Sequence, residues 1–152
     1  MTDLDVIFVD ILDCYIEIRY ESYLSSIRFL KSRSKLNEKK TLKATFELEE
    51  YFEGKRTGFS RFDMAELSTF EKKVLDETSK IKYGKTIAYS ELADKICSRA
   101  VRAVGGVLSR NPIPIIIPCH RVVAKKGIGG YSAGVDIKER LLDFEKKLAD
   151  NL

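Results

Sequence analysis

The chain has little of what metal sites and disulfide frameworks are made from. Its 152 residues include one His and three Cys. His120 is alone, Cys14 and Cys97 stand apart, and no CxxC or HExxH occurs. A Cys/His zinc site needs about four ligands at short paired spacings, so no metal is expected. An odd Cys count also argues against a disulfide framework. Gln is absent and Asn occurs three times, while Lys and Glu abound. That balance leans towards a thermophile, whose cytosol tolerates disulfides better than most. No apolar run approaches the roughly 18 residues of a membrane helix. The start, Met1-Thr2-Asp3-Leu4-Asp5, is acidic and lacks the basic n-region of a signal peptide. The expectation is a cytoplasmic protein with no membrane association.

Hydrophobic residues make up 44% and charged residues 33%, enough for one compact domain or two small ones. Charge is uneven. Residues 1–68 carry 11 Lys and Arg against 13 Asp and Glu, net −2; residues 69–152 carry 16 against 10, net +6. Within 80–126 there are 10 basic residues against Glu91 and Asp94 alone. A basic window that shares its span with a helix-turn-helix pattern favours a polyanionic partner. The basic stretch Arg28–Lys43 lies among Ser and Asn and reads as a solvated loop.

Val6–Leu12 and Tyr15–Tyr20 read as strands, the second by its alternation of Ile16 and Ile18 with Glu17 and Arg19. Ser22–Leu30 is expected to form a short helix and Thr41–Phe52 a longer one, stopped at Gly54. The character of the elements changes near Leu67. Ser68 with Glu71 is a capping-box signature and opens a helix that ends at Gly84. A helix from Ser90 and another from Ser98 to about Arg110 follow. On a wheel of ~100° per residue, Val101, Val104 and Leu108 of the latter face the core. Arg99, Arg102, Ala103, Gly106 and Arg110 fall opposite. A helix-interior Gly costs ~1 kcal/mol, so Gly105-Gly106 needs a reason. Close approach of a bulky partner and close helix–helix packing are both adequate.

All three prolines lie in Pro112–Pro118, which predicts a stiff, extended, buried segment. It ends at Cys119-His120-Arg121, so the one His sits beside a Cys with a cation next to both. Such neighbours stabilise a thiolate, the nucleophilic form; Cys14 and Cys97 read as inert. Adjacent side chains on an extended chain point to opposite faces, so a water relay would link Sγ to the ring. The ring's other nitrogen then needs a carboxylate, and the helix starting near Asp136 offers Asp136, Glu139, Asp143 and Glu145. The residue pattern alone leaves that choice open. Gly127–Gly134 lacks the order of a phosphate loop and reads as a loop over the site, with Tyr131 as its aromatic wall.

Pro118-Cys119-His120-Arg121-Val122-Val123 resembles the active-site signature of the O6-alkylguanine-DNA alkyltransferases. The resemblance extends to Tyr83–Ala93, to Arg102–Gly106 followed by Asn111-Pro112-Ile113-Pro114, to Gly130-Tyr131-Ser132 and to Lys138–Leu142, in family order over about 68–145. A weaker match covers Glu50–Lys55. It implies an α+β protein with a small RNase H-like α/β domain at 1–65. A mostly helical domain at 66–152 would carry a winged-helix-like helix-turn-helix. It implies single-use DNA repair, in which Cys119 takes and keeps the alkyl group of O6-alkylguanine in double-stranded DNA. No cofactor is needed, and a monomer is expected. By the family pattern His120 deprotonates Cys119 through a water, Glu139 orients His120, and Tyr89 helps the guanine leave. Asn111 braces the hinge, the backbones of Val122 and Cys119 read the exocyclic amine, and Ser132 sits near O6. Pro114 and Tyr131 line the pocket. Arg102 replaces the extruded base, with Arg99, Ala103 and Gly105 on the DNA face, in the minor groove. Ala133 stands where many members have Gly, which narrows the pocket. Two other classes compete: a lesion- or operator-binding module without chemistry, and an ordinary thiol enzyme or redox sensor. Stoichiometric alkylation of Cys119 separates the first from the family reading, and reversible oxidation or DNA-independent turnover marks the second.

Overall fold

The computed structural model describes residues 1–152, which form two compact units, Met1–Glu66 and Leu67–Leu152. No helix is long and apolar enough to cross a membrane.

In the first unit β1 (Asp3–Val9), β2 (Cys14–Tyr20) and β3 (Leu24–Leu30) make an antiparallel sheet in the order β1-β2-β3. Ile7 pairs with Ile16 and Ile18 with Ile27, so the branched residues of all three strands share the buried face. The 3-10 turn Asp10–Leu12 takes the end of the expected first strand, closed by Asp13 at φ 49°. The segment expected to be helical is β3. Its i, i+3 spacing of Leu24 and Ile27 mimics a helix, but the exposed ladder of β2 hydrogen-bonds it as a strand, and tertiary pairing overrides local spacing.

The helix α1 (Lys43–Phe52) begins at Leu42, which has no capping side chain. Asp5 of β1 supplies one. Its fully buried carboxylate accepts from Thr41 N at 2.7 Å, Leu42 N at 2.7 Å, Thr41 Oγ1 at 2.8 Å and Thr45 Oγ1 at 2.5 Å. Burial opposes its charge, but these donors prevail and hold its pKa below the ordinary 3.8. Asp5→Ala leaves buried donors unpaired and is expected to cost on the order of 3 kcal/mol. Because the folded pKa is depressed, that stability is full above the unfolded value and fades as pH falls through the folded one. Urea unfolding of both proteins at pH 7 and pH 3 checks this: the gap between them should narrow at pH 3.

The second unit opens with α2 (Thr69–Thr78), whose capping box forms as the sequence predicts: Glu71 N donates to Ser68 Oγ and Ser68 N to Glu71 Oε1. A two-residue strand β4 (Ile87–Ala88) leads into α3 (Tyr89–Lys95); a tight turn with Cys97 at φ 56° leads to α4 (Val101–Ser109). β4 pairs in parallel with β5 (Val122–Val123), and α5 (Val135–Ala149) closes the unit. Val74, Leu92, Val104, Ile137 and Leu141 are the centre of the core. Val101 is 38% exposed, contrary to the wheel, because it stands in the first turn of α4, before the helix reaches the core; Val107 takes the inward place.

Pro112–Pro118 is not extended. It is a tight buried turn in which Pro114 bridges to Ile117 and Ile115 adopts φ 74°. Asn111 closes it, donating from Nδ2 to Ile117 O at 2.9 Å and accepting from Ile113 N at 3.1 Å. Prolines exclude helix, but they are equally at home in turns.

Candidate active site

Cys119, His120 and Arg121 form a single 3-10 turn, with Arg121 N donating to Pro118 O at 3.0 Å. All three side chains are buried, and the turn rather than an extended chain sets their directions.

The carboxylate that serves His120 is Glu145. His120 Nε2 lies 2.7 Å from Glu145 Oε2, and Arg121 donates to the same group from Nε at 2.8 Å and Nη2 at 2.9 Å. Gly84 N adds a donor at 3.3 Å, and Arg121 Nη1 is anchored on Ile81 O at 2.7 Å. Gly84 has φ +76°, and a Cβ there would stand 2.7 Å from Ala149 Cβ, so only glycine lets α5 bring Glu145 this close. The Glu139 expected in this role is exposed. It stands six positions earlier on α5, and at 100° per residue it points away from the face that Leu141 and Glu145 share.

Burial disfavours the charged form of both partners, with opposite outcomes. It lowers the His120 pKa below the ordinary 6.5, an effect that Glu145 only partly offsets. At Glu145 the His120 and Arg121 hydrogen bonds outweigh burial and hold the carboxyl well below the carboxylate range. A neutral imidazole beside a fixed carboxylate donates from Nε2, which leaves Nδ1 as an acceptor. Nδ1 is buried and has no protein partner.

Cys119 is 6% exposed, and its Sγ is 3.6 Å from Tyr131 Oη. Burial pushes the thiol up; hydrogen bonds from Asn111 and Tyr131 and the charge of Lys138 pull it down. Asn111 thus braces the turn that presents Cys119 and favours its ionised form. Tyr89, at the start of α3, donates to Gly130 O at 3.3 Å, and burial raises its phenol. Gly129 presses on the Tyr89 ring: a Cβ there would come within 3.1 Å of it.

Two expected substrate contacts are engaged elsewhere. Ser132 Oγ donates to Ser109 O at 2.7 Å, at the end of α4, so its hydroxyl is turned to the helix rather than to Cys119. The Val122 carbonyl accepts from Lys138 Nζ at 2.7 Å. Pro114 is buried within the turn before Cys119.

Lys138 enters the sequence reading only as the first residue of the Lys138–Leu142 match, with no role, yet it is fully buried. Its Nζ also donates to Gly130 O at 3.0 Å and meets Tyr89 Oη at 3.5 Å, and it lies 5.6 Å from the Tyr89 ring centroid and 6.0 Å from that of Tyr131. A lysine in the first turns of a helix reads as solvated. The available signal is its i, i+3, i+7 alignment with Leu141 and Glu145.

On α4, Arg99 just before the helix, Arg102 and Ala103 are exposed. A Cβ on Gly105 would meet nothing within 4 Å, and one on Gly106 only the flexible end of Arg110. Close packing inside the protein therefore does not account for the glycine pair. No three His, Cys, Asp or Glu side chains converge to hold a metal.

Residues 69–147 match the family model described as 6-O-methylguanine DNA methyltransferase, DNA binding domain. A methylated-DNA–protein-cysteine methyltransferase of Methanocaldococcus vulcanius is 54% identical over 80 residues, 53% of this chain and 49% of that protein. Its counterpart in Archaeoglobus fulgidus is 45% identical over 105 residues, 65% of this chain and 71% of that protein. The chain thus spans only about half the length of some curated relatives it matches. Among solved structures, the Mycobacterium tuberculosis O6-methylguanine methyltransferase superposes with a TM-score of 0.81 at 30% identity, over 97% of this chain and 94% of that one. The enzyme from the hyperthermophilic archaeon Pyrococcus kodakaraensis gives 0.78 at 28%, over 95% and 99%. With Cys119, its His–Glu–Arg support and the helix-turn-helix all inside the matched span, the chain belongs to the O6-alkylguanine-DNA alkyltransferase family.

Proposed function

We propose that this protein repairs double-stranded DNA by moving the alkyl group of O6-alkylguanine onto Cys119, once per molecule. The observation that carries the reading is the His120 ring. Glu145 holds it by Nε2, burial disfavours its charged form, and its Nδ1 is buried without a protein partner in the turn that carries Cys119.

The thiol proton passes through one water to His120 Nδ1. Sγ attacks the alkyl carbon, an S–C bond forms, and the C–O6 bond breaks. The electron pair stays on the guanine, which takes a proton from the Tyr89 hydroxyl and leaves as a neutral base, and the proton released by the thiol returns from His120 through water to restore Tyr89. The protein is itself the acceptor, so no cofactor takes part, and the thioether ends the reaction. A base in a duplex is out of reach of a sulfur this buried, so it must be flipped out. The outward face of α4, with Arg102 among Ala103 and the open Gly105, suits entry into a narrow groove.

The test is peptide mass spectrometry after incubation with a duplex holding one O6-methylguanine. The expected result is a gain of one methylene on the Cys119 peptide, saturating at about one per protein. Lesion binding without that gain would make this a recognition module.

A further inference from the structure

The relay described so far leaves one buried charged group unused. Lys138 is the fully buried cation of the site that faces no carboxylate: Glu145 lies further along α5 and is committed to His120 and Arg121. Its neighbours are Tyr89 from α3 and Tyr131 from the 127–134 strap, and the Tyr131 ring that it faces at 6.0 Å carries the hydroxyl 3.6 Å from Cys119 Sγ, so its charge acts on the 119–121 turn. Two carbonyls and a phenol receive its hydrogens. These are dipoles; they soften the cost of burying an ammonium but do not neutralise it. A buried cation without an anion is expensive, and here the group able to supply the anion is the Cys119 thiol.

We propose that the Lys138 ammonium is the counter-charge of the Cys119 thiolate, and that through Gly130 it also ties the strap over the sulfur. This rests on Cys119 being the nucleophile. While the thiol holds its proton, Lys138 carries its charge uncompensated. When the thiol proton leaves through His120, the thiolate and the ammonium compensate each other inside the same dry volume. Lys138 is thus a positioning residue that sets how readily Cys119 ionises, without touching the sulfur. Coupling is reciprocal: what Lys138 does for the thiolate, the thiolate does for Lys138. Burial holds the Lys138 pKa down at about 8, and Cys119 pulls it upward. Above that pH the charge is lost, so the advantage of a more alkaline solution for the thiol is offset by loss of its partner.

The test uses the whole protein and reads Cys119 with iodoacetamide, which needs no DNA. Cys14 and Cys97 are replaced by Ser in all samples, and the labelling rate is followed against pH. Lys138→Met is expected to raise the pH midpoint by about one unit, which lowers the rate at pH 7 about tenfold. A loosened strap alone would change the rate at every pH and leave the midpoint in place, and an unchanged midpoint overturns the proposal. The second measurement avoids any change at Lys138. The Lys138 side chain is titrated by NMR in the wild type and in Cys119→Ser. A lower midpoint in Cys119→Ser supports the coupling, and equal midpoints overturn it. Neither readout depends on alkyl transfer, so failure here leaves the proposed repair reaction standing, and failure of repair leaves these results interpretable.

Discussion

Glu145→Gln should slow alkyl transfer by about 10²–10³-fold, the range lost when a positioned acid–base group is disabled, whereas Glu139→Gln should leave the rate unchanged. Glu145 is 1% exposed and carries two jobs at once. Its Oε2 fixes the His120 tautomer, and both oxygens neutralise Arg121. Gln matches its size but offers one acceptor oxygen and an amide donor. The amide either faces His120, where it competes for the wrong tautomer, or faces the guanidinium, where it repels. A buried guanidinium stripped of its counter-ion costs about 3–5 kcal/mol, so thermal unfolding of Glu145→Gln should drop clearly while Glu139→Gln, exposed and far from His120, does not move. Single-turnover transfer from a lesion duplex, read beside the melting curves, separates the two effects. If Glu139→Gln is the slow variant, the relay drawn from the geometry is wrong.

That pair of variants also shows where sequence reasoning stops. The Ser68–Glu71 capping box and the stop of α1 before Gly54 are local, and they are legible because the interactions that make them lie within a few residues, whereas the helix expected to run to Gly84 ends at Thr78 and the turn before Cys119 stands where an extended segment is expected. Ser68 with Glu71 needs nothing from the rest of the chain. Glu145 and His120 are 25 residues apart, and four carboxylates on one helix satisfy the same chemical requirement. What selects Glu145 is the approach of α5 to Gly84, where a missing Cβ allows contact; no pattern in α5 itself records it. The same holds for β3, whose spacing admits a helix until β2 offers a ladder, and for Lys138, whose burial depends on two carbonyls and two aromatic rings from other segments. Cys119, His120, Asn111 and Tyr89 are legible because they sit in a motif or at an element boundary. Ser132 is legible as a loop residue but not in direction: its hydroxyl is spent on the end of α4.

Arg102→Ala should impair repair of duplex DNA by about 10²-fold and leave reaction with free O6-benzylguanine close to the wild-type rate. The physical basis is cost. Extruding a base loses stacking and pairing worth a few kcal/mol, and each 1.36 kcal/mol is about tenfold in rate. A side chain that fills the gap recovers part of that, and Ala cannot. Arg102 is well positioned to do so, because it is exposed on α4 and the positions beside it, Ala103 and Gly105, present no bulk. The free base needs no extrusion and meets only the Cys119 site, from which Arg102 is absent. The split between the two substrates is therefore the informative quantity. Equal losses on both would mean that Arg102 acts on the fold or the pocket, and would end its role as the gap-filling residue. Gly105→Leu gives an independent control on the same face. A Cβ on Gly105 meets nothing within 4 Å in the free protein and helix propensity favours Leu over Gly, so stability should not fall. Duplex repair should fall because the added bulk meets the groove wall, again with the free base spared.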